Sequence, residues 1–133
     1  MILFRPVGLA ELRLIADAGF RAFPPRLPQQ PIFYPVLEES YAVEIARDWN
    51  TKDEPSDFLG FVTKFEIDDA FAGRYPIQTA GARHHRELWV PAGELAELND
   101  HIVGRISVIS SYVGERAKTK IDPATHLPAN LGA

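Results

Sequence analysis

The chain contains no cysteine and a single methionine. Without cysteine there is neither a disulfide framework nor a thiolate metal site, and nothing argues for an oxidising compartment. Long apolar runs are missing too. The opening MILFRPVG meets Arg5 too early for the apolar region of a secretory signal, and no segment approaches the length of a membrane span. A cytoplasmic protein with no membrane partner is the expectation. Nor is there an excess of positive charge: 14 Lys and Arg face 18 Asp and Glu, and the net charge of -4 gives no general attraction to nucleic acid. What is present is ordinary for a soluble domain. With 46% hydrophobic and 24% charged residues over 133 positions, one domain can bury a core without covalent staples.

ILFRPV at 2–7 is apolar on both faces, which predicts an interior strand with Arg5 in the phase of Leu3 and Val7. GLAELRLIADAG predicts a helix through Leu9, Leu12, Ile15 and Ala16, stopped by Gly19. Five of the eleven prolines (Pro24, Pro25, Pro28, Pro31 and Pro35) then impose a rigid loop, followed by a short strand at 32–34. From Tyr41 the apolar positions Tyr41, Ala42, Ile45, Ala46 and Trp49 follow a helical repeat, with Tyr41, Ile45 and Trp49 read as core. GFVTKFEI alternates as a strand, Asp68 to Gly73 suits a helical turn, and weaker strands are expected at 77–79 and over ELWV. PAGELAELNDH starts a helix near Pro91, and IVGRISVISSY returns as a strand. Residues 113–133 lack periodicity and read as a C-terminal tail that docks on the body or on a neighbour. Strands and short helices interleave without regular alternation, which predicts an α+β domain over 1–112.

RHHRELWVP, residues 83–91, concentrates the chemistry. In a strand His85, Glu87 and Trp89 share one face while Arg86, Leu88 and Val90 share the other. Leu88 and Val90 are the core side, so Glu87 lies beside an indole on a face that either meets water or lines a groove. Arg5 needs an anionic partner, which is Glu11, Glu87 or a ligand phosphate. His84 and His85 point apart if extended, and with no further ligand at metal spacing no metal site is expected. PPRLPQQP carries P-x-x-P spacings, read as a rigid loop or as a polyproline ligand for a protein partner.

LFRPVG, AFPPRLPQQPIFYPV, YAVEIARDWNTKD and HRELWVPAGEL with HIVGRISVI together span nearly all of residues 2–112. In these stretches the chain resembles the ADP-ribosyltransferase-like superfamily, and within it small bacterial proteins labelled "ADP-ribosylation/crystallin J1". The resemblance implies two small split β-sheets around a groove, with the opening strand and the ELWV strand as neighbours lining it. It also implies NAD as substrate, and ADP-ribosyl transfer or NAD glycohydrolysis without a metal. By that resemblance Glu87 is the catalytic carboxylate and Arg5 holds the dinucleotide. Tyr34 takes the middle position, Phe33 offers a stacking surface, His85 stands where the family selects the acceptor, and Arg26 reaches the groove mouth. A carboxylate suits the reaction because positive charge develops on the ribose as its bond to nicotinamide breaks. The acceptor is left open between protein, nucleic acid and water, and a neutralising or regulatory partner is expected of a cellular NAD consumer. A module that binds nucleotide or ADP-ribose without turnover, and an interaction domain using the proline-rich loop or tail, are the alternative readings.

Overall fold

A computed structural model describes residues 1–129 and 131. In chain order the main elements are β1 (Ile2–Val7), α1 (Leu9–Asp17), β2 (Ile32–Phe33), α2 (Glu39–Asp48), β3 (Leu59–Glu66), α3 (Asp69–Ala72) and β4 (Ile77–Thr79). They are followed by β5 (Arg86–Leu88), β6 (Val90–Pro91), α4 (Leu95–Asp100), β7 (Ser107–Val113), β8 (Ile121–Asp122) and β9 (Leu127–Pro128). The class is α+β, with small separate sheets: β1-β3-β7, and the two-stranded pairs β2-β6, β4-β5 and β8-β9. Among the described residues no helix is long and apolar enough to cross a membrane.

β1 is an interior segment because both of its faces find apolar cover. Leu3 and Val7 join Leu12, Ile15, Phe61 and Phe65 in the main core, on the side of α1. On the opposite face Phe4 packs with Val62, Ala42 and Ala46 under α2. α2 can approach that closely because it presents alanines to a glycine: a Cβ on Gly60 would overlap the Ala46 carbonyl. α1 ends where expected, with Gly19 at φ 68, in the left-handed region that favours glycine.

Several expectations change. The helix from Tyr41 does not bury its large side chains: Ala42 and Ala46 are inside, Tyr41 and Ile45 are half-buried, and Trp49 is 72% exposed. The strand expected from Ile102 begins only at Ser107, because Gly104 turns left-handed at φ 76 and Ile102 makes a single bridge to Ile67. ELWV is divided at Trp89, so that β5 pairs with β4 and β6 with β2. Nor are β1 and β5 direct neighbours. Val36 stands between them, bridging to Phe4 on one side and to Glu87 on the other. The segment read as a tail forms the β8-β9 pair, and Ala117, Ile121, Leu127 and Leu131 pack against the main core. Asp57 anchors its start by accepting from the Lys118 and Thr119 backbone amides at 3.4 and 3.2 Å. Residues 130, 132 and 133 of that segment lie outside the described ones.

Candidate functional site

Glu87 sits in the middle of β5, on the face that carries Phe4 and Val36, since bridged residues project to the same side. It is buried, at 8% exposure. Its two oxygens are each held by a neutral donor: the Tyr41 hydroxyl donates to Oε2 at 3.0 Å and the Trp89 indole N–H donates to Oε1 at 2.6 Å. Both anchors follow from local structure. Tyr41 reaches down from the first turns of α2, and Trp89 shares the face of Glu87 across one intervening residue. Burial first, and then the bond to Glu87, pushes the Tyr41 phenol up to about 12.

The carboxylate opens into a groove of about 490 Å³ lined by Arg5, Pro6, Tyr34, Val36, Tyr41, Ile45, Glu87 and Trp89. Tyr34 and Trp89 meet edge to face across it, with ring centroids 6.5 Å apart. Because Val36 contacts β1 through a single bridge, the chain diverges from β1 on either side of it, and the groove lies in that divergence. Arg5 reaches the groove from the opposite face of the layer, its strand phase being that of Leu3 and Val7. Its guanidinium is already paired: Nε and Nη2 donate to Glu11 Oε2 and Oε1 at 2.6 and 2.9 Å, and its Cζ lies 4.6 Å from the centre of the Phe33 ring.

The groove therefore gathers three of the six residues singled out from the sequence, Arg5, Tyr34 and Glu87. Phe33 is a correction. At 1% exposure it is core, packed against Phe23 and roofed by Arg5, and offers no face to a ligand. Arg26 does not line this groove; its Nε donates to the Ile32 carbonyl at 3.2 Å, and burial followed by the nearby Arg5 lowers its pKa. His85 does not share the strand of Glu87. The 80–85 segment is a turn closed by bonds from Ala80 N to His85 O and from His85 N to Ala82 O, and its histidines converge rather than point apart. His84 and His85 place their Nε2 atoms 3.0 and 2.7 Å from the two oxygens of Glu44 on α2.

No family model, curated protein or solved structure matches this chain.

Of the groove-lining residues that the sequence did not mark as a site, two lie on α2, Tyr41 and Ile45. Both carry the helical spacing that ordinarily marks a core stripe. The signal that separates them from core is the neighbouring Ala42 and Ala46 pair, which fixes the buried line of α2 one position further along.

Proposed function

We propose that the chain cleaves the bond between nicotinamide and ribose in NAD, as an ADP-ribosyltransferase or an NAD glycohydrolase, on an ADP-ribosyltransferase-like fold. The observation that carries this reading is Glu87, a buried carboxylate whose partners among the described residues are two neutral donors, at the edge of an aromatic groove. When the bond breaks, its electron pair leaves with nicotinamide and positive charge is left on the ribose. Tyr41 and Trp89 hold the Glu87 carboxylate in place while its remaining lone pairs face that charge or grip a ribose hydroxyl. Water or an acceptor oxygen or nitrogen then bonds to the ribose carbon and releases a proton. Tyr34 and Trp89 supply flat surfaces for the departing ring, and Arg5 supplies positive charge for the phosphates. The reaction as written needs no metal. The acceptor is a protein, a nucleic acid or water, and a regulatory partner would restrain the activity in a cell.

The test is NAD binding by calorimetry with nicotinamide release followed in the same samples. Glu87→Gln is expected to retain NAD binding while release falls by about a hundredfold or more. Equal release from wild type and variant would overturn the assignment. One observation favours a second reading, a module that binds nucleotide without turnover: Glu11 already neutralises Arg5 through two bonds. Wild type that binds NAD or ADP-ribose but releases no nicotinamide with any acceptor class would establish it.

A further inference from the structure

The turn between β4 and β5 brings together three groups that the reaction above does not use. Glu44 Oε1 lies 3.0 Å from His84 Nε2, and Glu44 Oε2 lies 2.7 Å from His85 Nε2. One ligand atom from each residue falls within 4.8 Å of the others. We propose that Glu44, His84 and His85 bind a divalent transition cation of borderline softness, zinc first, with the remaining position open to water. The inference is independent of the NAD reading.

The donor set suits such an ion, since imidazole nitrogens with one carboxylate are ligands that zinc accepts. The spacing suits it too. Four-coordinate zinc with bonds of about 2.0–2.2 Å places neighbouring ligand atoms about 3.3 Å apart. The two imidazoles lie 3.0 and 2.7 Å from different oxygens of Glu44, so a bound cation would draw the rings together and take one or both oxygens as ligands in place of the shared protons. Two features hold the ligands in that arrangement before any ion arrives. The Tyr41 ring stacks on His85, with centroids 4.2 Å apart and planes 19° from parallel. The turn is closed by its own backbone bonds, with Gly81 at φ 94. The cluster is also accessible, since the side chains of His84 and Glu44 are 47% and 38% exposed. Among the described residues no Lys or Arg forms an ion pair with Glu44, and Arg47, the arginine of α2, forks onto Asp48.

A cation bound here would clamp the β4-β5 turn to α2 and fix the ring of Tyr41, whose hydroxyl holds Glu87. The test uses the full chain, stripped with a chelator and titrated with zinc by calorimetry, together with nitrogen-15 spectra of its four histidines. One equivalent should bind, with the ring resonances of His84 and His85 moving and those of His101 and His126 still. Glu44→Gln, at a half-buried position, and His84→Ala, at an exposed one, should each weaken binding about tenfold or more, and His126→Ala should not. Absence of zinc binding in wild type would overturn the proposal. So would movement of His101 or His126 in place of the pair, or affinity unchanged in both Glu44→Gln and His84→Ala.

Discussion

Tyr41 keeps its proton further into alkali than a tyrosine in water does, and the reason is a set of contacts around one oxygen. Burial disfavours the phenolate, and donation to Glu87 would be lost with the proton. Tyr75 is held up to about 12 in the same way, by burial and by its bond to Glu94 at 2.6 Å. An unfolded tyrosine releases its proton near pH 10. Because both folded values lie above the unfolded one, this contribution to stability is complete below pH 10 and is lost as pH rises from 10 toward about 12. Phenolate absorbance followed against pH should show two phenols titrating late, and Glu87→Gln should bring one of them back toward the ordinary value. A titration unchanged by that substitution would show that Glu87 does not hold Tyr41. Glu87 itself was legible from strand alternation and from the neighbouring indole. Its second anchor was not, because a half-buried tyrosine and a core tyrosine have the same helical address.

At the scale of elements, the close seat of α2 on β3 depends on small residues at both contact points. Gly60→Ala drives a methyl group into the Ala46 carbonyl, which is backbone and has no rotamer to give. The expected cost is about 1–3 kcal/mol, measured as a lower urea midpoint, with Gly93→Ala as the control because nothing lies within 4 Å of a Cβ there. Equal midpoints for the two variants would show that α2 can retreat without loss. The same contact explains what was misread in the sequence. Size and apolarity pointed to Tyr41, Ile45 and Trp49 as the buried line, whereas the geometry of a helix lying against a glycine selects alanine. The histidine pair was misread for a related reason. Extended alternation sends neighbours apart, but Gly81 and the bonds that close the 80–85 turn replace alternation with convergence.

At the scale of the molecule, the α+β class was legible because strand and helix periods alternate irregularly along the chain. The pairing of strands was not, because Val36 joins the layers through bridges too short to leave a sequence pattern. The last segment was hidden for a different reason. Ala117, Ile121, Leu127 and Leu131 are spaced by turns and follow neither strand nor helix period, yet each packs on the main core. Removing residues 115–133 uncovers those contacts and leaves Asp57 without its two amide donors. A loss of roughly 2 kcal/mol or more is expected, read from urea denaturation. An unchanged midpoint would make the β8-β9 hairpin an appendage.

The bond from the Trp89 indole to Glu87 has an optical consequence. The chain's other tryptophan, Trp49, lies out in solvent at 72% exposure and reports on bulk water. Trp89 instead has its nitrogen tied to the carboxylate and its ring at the groove wall. The molecule thus carries a native fluorophore wired to the carboxylate proposed to act on NAD, and a ligand that reaches Glu87 is expected to shift the colour of the light that Trp89 emits.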